Sequence, residues 1–398
     1  MQAANSPDTG LTPDDVRAIY RELLERDALA GEVQAQMATC RTAGELVHVV
    51  HASEEYEMRL RARGKAALVE RPRVNVWHPD LAGWTHPPGT VSEDGTAIVG
   101  HEGWLFILSG SNSTLVQHRG ENAPPQAWLE AWMRGLAVRR RQAAELGIAL
   151  SCLIVPDKLA IQEEHFPEPI EPAGPRPALR LRERAGDALL YPVDELRAAR
   201  ARGAVALRAD THLTVHGNHV LAQAVMRQLG LRAPDLADLD ALEAHLSSGD
   251  LGSRFTPPIV EVGIAIPGLG GAEVVSDNRD AIAAVEGHVG TIRVLRNASA
   301  PDRRVAVLLG DSYGFPSPYY QGLGWWLAQV FAELHFVWVP FGWDPGYLRD
   351  VGAGVAVVQT AERFVGRVPL DRVDARELAR LTIETGRPAG LEEFTRSV

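Results

Sequence analysis

The stretch Arg304–Gly314, RVAVLLGDSYG, constrains the fold more than any other part of the chain. Five consecutive apolar residues, Val305–Leu309, run straight into Gly310, Asp311 and Ser312. A short apolar run closed by glycine reads as a buried strand that stops at a sharp turn. A helix is expected from about Pro318, which gives the order strand, turn, helix. In α/β enzymes that geometry lifts a nucleophilic serine above the sheet edge, close to backbone N–H groups able to hold an oxyanion. Gly-Asp-Ser by itself is a common string, so its weight comes from this context.

Well upstream lies Arg208-Ala209-Asp210-Thr211-His212-Leu213-Thr214. An Asp and a His two apart put both side chains on one side of an extended segment. The Asp210 carboxylate can then hold the imidazole Nδ1–H of His212 and leave Nε2 for a hydroxyl. The other reading is a polar loop in which Asp210 caps a turn and His212 faces water. Taken with Ser312, the two motifs supply all three members of a Ser/His/Asp triad.

GDS after a strand, preceded by DTHLT and the helix VHGNHVLAQAVMRQLG, resembles the alginate O-acetyltransferase type of SGNH hydrolase-like protein (the AlgX and AlgJ family). In that family the Asp-x-His motif precedes the serine. The blocks GHEGWLFIL at Gly100–Leu108, LIVPDKLAIQEEHFP at Leu153–Pro167, GDLGSRF at Gly249–Phe255 and VVQTAERFV at Val357–Val365 are similar too, over roughly Val91–Val368. The resemblance implies an α/β, SGNH-hydrolase-like three-layer fold with a mainly parallel sheet, preceded by a small all-α domain. It divides the chain into a helical domain at 1–70, a linker or arm at 71–95 and a catalytic domain at 96–398.

At 398 residues and 45% hydrophobic content, the chain can bury a full core with room for two domains. A net charge of −11 argues against a general nucleic-acid binder. Arg139-Arg140-Arg141 reads as the solvated face of an amphipathic helix. Cys40 and Cys152 fall in different expected domains and read as buried thiols; no metal-ligand spacing is present, so no metal is expected. Met1–Gly10 is polar and no run is long enough to span a membrane. As written, the chain is expected to be cytoplasmic, or periplasmic or at the cell surface if a leader has been removed.

The first 64 residues read as helices. Thr12-Pro13-Asp14-Asp15 is an N-cap, a proline at the first helical position and acids in the first turn. Val16, Ile19, Tyr20, Leu23 and Leu24 form one apolar stripe. Further helices are expected over Glu32–Cys40 and Ala43–His51, with a fourth from about Ser53. This part resembles a small bacterial helical domain of unknown function and reads as a packing or assembly module. Arg71–Gly95, with Trp77, His78, Trp84 and His86, reads as a linker or an arm.

Beyond it the chain alternates in the α/β manner. Strands are expected at Gly103–Leu108, Ile148–Val155, Val205–Leu207, Thr291–Leu295, Phe336–Val339 and Val355–Gln359. Helices are expected at Pro125–Leu146, Ala178–Gly186, Val193–Ala201, Leu239–Leu246 and Tyr319–Leu334, and on the helix that Thr214 caps. On that last helix His216 and His219 read as surface histidines. Asp157 and Lys158, at a strand's carboxyl edge, could bind substrate or pair with each other, the structural role being favoured, and Glu362-Arg363 reads as a structural ion pair near the site more readily than as chemistry.

A tryptophan at a cleft can stack on a sugar ring. Trp343, just beyond a strand end, is the leading carbohydrate-contact candidate; Asn112, Tyr313 and Trp104 are further candidates. The resemblance implies transfer of an acetyl group to a carbohydrate hydroxyl through acetyl-Ser312, with His212 as base and Asp210 orienting it. The expected partners are a carbohydrate acceptor and an acetyl donor, either acetyl-CoA or an acyl group relayed by a membrane-bound acyltransferase, with no bound cofactor. Two other readings stay open: an acetyl-esterase using the same residues, and a non-catalytic glycan-binding or assembly protein.

Overall fold

The computed structural model describes residues 10–51, 53, 55–56, 58–59, 86–109, 112–121, 123–235, 243–256, 258–317 and 321–396. Most of the expected linker, with Trp77, His78 and Trp84, therefore lies outside the described residues.

Among the described residues three helices, Pro13–Leu24, Ala30–Thr39 and Ala43–His51, come first. The Thr12 hydroxyl accepts from Asp15 N and the Asp15 carboxylate answers to Thr12 N, which closes a capping box ahead of Pro13. Val16, Ile19, Tyr20, Leu23 and Leu24 are all buried and share a core with Val33, Leu46, Val47 and Val50. Arg26 fastens this small core by pairing with both Glu32 and Glu55 at 2.7 Å. Cys40 lies within it and Cys152 on a sheet strand, both as buried free thiols.

Twelve strands follow among the described residues: β1 Ala97–Val99, β2 Leu105–Ile107, β3 Ala149–Val155, β4 Glu243–Ser247, β5 Glu261–Ala265, β6 Glu273–Asp277, β7 Ile292–Arg296, β8 Asp302–Gly310, β9 Phe331–Trp338, β10 Ala353–Ala361, β11 Val368–Pro369 and β12 Thr395–Arg396. The principal sheet runs β3–β10–β8–β9–β7–β6. Its first four strands are parallel, and β7 and β6 extend it in antiparallel fashion. Alternate residues of each parallel strand enter one of two cores. Leu153, Ala306, Leu308, Phe336, Val355 and Val357 face the core shared with Val193–Ala199, Val215–Gln228 and Leu323–Val330. Ile154, Val307, Leu309, Val337, Ala356 and Val358 face the one shared with Gln126–Glu145, Pro177–Ala185 and Pro345–Asp350. Burial on both faces is why these strands read as unbroken apolar runs. At about 1.5–3 kcal/mol for each fully buried aliphatic side chain, the two faces hold the three layers together. The outer strand β6 exposes all five residues and carries Glu273 and Asp277 at its ends, charges that discourage edge-to-edge pairing.

Several expectations are corrected. The helix expected over Tyr319–Leu334 is only Leu323–Val330, and β9 starts at Phe331 rather than Phe336. Lying between β8 and β7, that segment gains ladder hydrogen bonds on both sides, which outweighs its helical pattern. The stretch expected as helix Leu239–Leu246 contributes strand β4, paired with β5, from Glu243 onward; its earlier residues lie outside the described set. Val205–Leu207 is not a strand and makes only the bridge Ala206–Leu213, because the amides that follow it bond a side chain instead. Arg139 is buried, donating to Phe341 O and Leu370 O, whereas Arg140 and Arg141 are exposed as read. His216 and His219 are likewise buried; His219 Nε2 donates to Pro234 O at 2.8 Å and its ring packs on Trp326.

Thr214 does cap the helix Val215–Gln228: its Oγ1 accepts from Gly217 N at 3.1 Å and donates to Ala204 O at 2.7 Å. Thr214→Ala should cost about 0.5–2 kcal/mol. A lowered urea midpoint at unchanged m-value checks it.

Candidate active site

Because β3, β10, β8 and β9 are parallel, their carboxyl ends share one edge, where open α/β sheets bind ligands. That edge presents Asp157 and Lys158, then Glu362 and Arg363, then Asp311 and Ser312, then Trp338. The Ser312 turn is riveted to β10 by its neighbour. Asp311 Oδ1 accepts from Gln359 Nε2 at 2.8 Å and Tyr313 N at 3.0 Å, and Oδ2 accepts from Ala361 N at 2.6 Å. Gln359 Oε1 in turn accepts from Asp311 N at 3.1 Å. A Cβ at Gly310 would lie 2.4 Å from Gln359 Oε1 and would have to displace the amide that ties the turn to β10. Ser312 is half-buried, and among the described residues neither its hydroxyl nor its N–H has a hydrogen-bond partner.

On the β3 side stands the loop Arg208–His212. Asp210 Oδ1 lies 2.6 Å from His212 Nδ1 and also accepts His212 N at 2.8 Å. Asp210 Oδ2 accepts from Asp250 N at 3.1 Å. Three further side chains hold the loop. Glu261 accepts from Arg208 N at 2.9 Å and Ala209 N at 2.8 Å, and Lys158 Nζ donates to Arg208 O at 2.8 Å. Asp250 accepts from the Thr211 amide at 2.7 Å and its hydroxyl at 2.5 Å. Gly249, at φ +57°, allows this approach: a Cβ would lie 2.5 Å from Ala209 O and 2.7 Å from Asp210 Oδ2.

Tyr313 joins the two halves. Its hydroxyl donates to Thr211 O at 2.6 Å and its ring lies 4.9 Å from the His212 ring. Arg363 Nη1 in turn donates to Asp157 Oδ1 at 2.7 Å and to the Tyr313 oxygen at 3.3 Å. The residue that follows Ser312 therefore rests on the imidazole that follows Asp210 and Thr211.

The electrostatics follow from this packing. Burial opposes charge on Asp210, but the adjoining His212 ring and its hydrogen bonds hold the carboxyl well below the usual carboxylate range. Burial likewise opposes charge on His212, yet the Asp210 carboxylate, with help from Asp250, raises the imidazole above its ordinary value. Burial pulls the Lys158 ammonium down to about 8 and pushes the Glu261 carboxyl up to about 6. Burial also pushes Tyr313 upward, so it stays a neutral donor.

The expected ligand contacts fare differently. Trp343 is wholly buried in the core, its Nε1 donating to Gln142 Oε1 at 2.6 Å, so it offers no face to a sugar. Trp104 is also buried, between the Arg208 guanidinium at 4.8 Å and the His165 ring at 5.3 Å. Tyr313 is buried and serves as the tie just described, not as an open contact. Asn112 is half-buried; its carbonyl accepts from Gln117 Nε2, which also donates to Arg363 O at 2.8 Å. Asp157 and Lys158 do not pair with each other: Asp157 takes Arg363, and Lys158 takes Leu105 O and Arg208 O. Glu362 and Arg363 are also separate, Glu362 accepting from Arg176 and from the Tyr191 hydroxyl at 2.8 Å. Asp210, His212 and Asp250 bring ligand-type atoms within 4.8 Å of one another. The bonds to Thr211 and between Asp210 and His212 already engage them, which fits a hydrogen-bonded cluster.

The fold is α/β, with a mainly parallel central sheet whose carboxyl edge carries the candidate site. Residues 97–255 match the family model described as SGNH hydrolase-like domain, acetyltransferase AlgX, in agreement with the resemblance read from the sequence. Among solved structures the chain is similar to the O-acetyltransferase domain of Pseudomonas putida AlgJ, at 20% identity over 68% of this chain and 91% of that one, with a TM-score of 0.42. It is similar to Bacillus cereus PatB1 at 13% identity over 64% and 93%, TM-score 0.43, and to Pseudomonas aeruginosa AlgX at 13% over 77% and 68%, TM-score 0.35. No curated protein matches the chain. Among the described residues no helix is long and apolar enough to cross a membrane.

Proposed function

We propose that the chain is an O-acetyltransferase that moves an acetyl group to a carbohydrate hydroxyl through acetyl-Ser312. The family match over 97–255 supports the reaction class. The single observation that carries the assignment is the tie through Tyr313, which sets the Ser312 turn against the Asp210–His212 pair. In this mechanism Ser312 Oγ attacks the acetyl carbonyl carbon while His212 Nε2 takes its proton. The tetrahedral oxyanion is received by the unbonded Ser312 N–H. Collapse expels the donor's leaving group, which takes the proton from His212. A sugar hydroxyl then gives its proton to His212 and attacks the acetyl-serine, and Ser312 recovers a proton as the acetylated sugar leaves. Asp210 holds the ring in the required tautomer throughout. The acetyl donor is a co-substrate, acetyl-CoA or an acyl group relayed by a membrane partner.

Incubation with p-nitrophenyl acetate, with and without sugar acceptors, tests this. Acetylated sugar that depends on Ser312 is the expected result, and Ser312→Ala should abolish it while leaving the circular-dichroism spectrum unchanged. Release of acetate regardless of acceptor would make the protein an esterase. Turnover retained by Ser312→Ala would rule out the mechanism.

A further inference from the structure

The base and its supports occupy one flank of Ser312, toward β10 and β3. The opposite flank, toward β9 and β7, has no part in the proposed chemistry, yet it is built from aromatic and cationic side chains. Trp338 ends β9 directly opposite Gly310 of β8, two residues before Ser312, and is half-buried. The exposed His288 ring lies on it at 5.0 Å with the planes 18° apart. Phe315, three residues past Ser312, lies 6.0 Å from Trp338. Over Phe315 sit two guanidinium groups, Arg279 at 4.9 Å and Arg293 at 5.3 Å. Arg293 is committed, donating to Pro316 O and facing Asp277 at 3.3 Å. Arg279 is exposed; its backbone N–H donates to Asp277 Oδ1 at 2.9 Å, and among the described residues its guanidinium pairs with no carboxylate.

We infer that this flank is the acceptor subsite: a sugar ring lies on the His288–Trp338 stack while Arg279 donates to oxygens on its rim. A flat ring pair backed by protein suits the apolar C–H face of a sugar, and a guanidinium already aligned on an aromatic ring spends little freedom in binding. Burial and the nearby Arg279 keep the His288 ring below its ordinary value, so it is neutral at pH 7 and can serve as such a face. The placement also meets the geometric demand of transfer. With His212 on one side of the serine, a sugar ring seated on the other side leaves the base in place and can extend one hydroxyl across to the acetyl group and His212 Nε2.

The inference rests on the carbohydrate-acceptor reading, so its test is made independent of turnover. The full chain carrying Ser312→Ala is titrated calorimetrically with cellotetraose and with tetragalacturonate, at low and high salt. Saturable binding of one of them is expected, weakened about five- to tenfold by His288→Ala and by Arg279→Gln. Both substituted residues are exposed, so loss of the fold does not intervene. Salt-sensitive binding of the acidic oligomer would mean that Arg279 reads a carboxylate; salt-insensitive binding of the neutral one would mean that it reads hydroxyls. Either result supports the subsite. Binding of neither, or binding indifferent to both substitutions, overturns it. If binding behaves as expected but the unsubstituted protein shows no Ser312-dependent acetyl turnover, the catalytic reading fails and the subsite stands.

Discussion

Asp210→Asn is expected to cut Ser312-dependent acetyl turnover by about 10³–10⁴-fold while the protein stays folded. The carboxylate does two things that an amide cannot do together. Its Oδ1 accepts from the His212 ring at 2.6 Å and from the His212 amide at 2.8 Å, so the ring proton is held at Nδ1 and Nε2 is left as the base. An amide NH₂ at the same place would favour the opposite tautomer, with the proton on Nε2, where it blocks proton abstraction. The sign of the pH effect follows from the same contact. His212 is raised above the ordinary imidazole value of about 6.5, and only the neutral ring is a base, so the rate should climb with pH through a midpoint above that value. With Asp210 neutral, burial remains and only the smaller pull of Asp250 opposes it, so the midpoint should move down in the variant. A pH–rate profile of kcat/KM for p-nitrophenyl acetate reads both effects. An acid limb unmoved by Asp210→Asn would remove Asp210 from the mechanism.

What was legible in the sequence was whatever depends on neighbours along the chain. The apolar run ending in GDS predicted β8 and its turn, because burial on both faces leaves no polar residue to mark a face. DTH predicted the Asp210–His212 contact, because two residues of loop are enough to fix it. The supports of that loop come from Lys158, Asp250 and Glu261, which are brought together by the tertiary fold alone. Asp250 and its Gly249 stood inside the GDLGSRF block, and Asp311 inside GDS, so a signal was present but its meaning required the partner atoms. The tryptophans were misassigned for a related reason. Trp343 follows a strand end as a ligand contact would, but the chain turns it inward onto Gln142, whereas Trp338, placed within a strand, reaches the open edge because β9 stops there. Strand β9 itself was half-hidden, since a segment paired on both sides needs no strong intrinsic preference.

Arg363→Met should destabilise the protein by about 3–5 kcal/mol at neutral pH, the range found when one partner of a buried ion pair is removed. Arg363 and Asp157 are both buried and 2.7 Å apart, with Glu362 and Asp311 adding negative charge nearby. Burial already pushes the Asp157 carboxyl up to about 6, against the opposing pull of Arg363. Its folded value thus lies above the unfolded value of about 3.9, so the stability that Asp157 contributes declines as pH rises from about 4 to about 6 and is level beyond. Without Arg363 the folded value climbs further, the decline extends to higher pH, and the variant loses more ground the more basic the solution. The gap between variant and parent should therefore narrow as pH falls toward 5, where Asp157 is protonated in the variant. Asp157→Asn added to Arg363→Met should recover much of the loss at neutral pH, because no unpaired charge then stays buried. Urea denaturation at pH 5 and pH 7.5 measures all of these, and a gap of constant size would mean that the cost comes from packing instead of charge. Turnover should fall as well in the single variant, since the Tyr313 hydroxyl loses one of its two partners and Tyr313 ties the turn bearing Ser312 to the loop bearing His212.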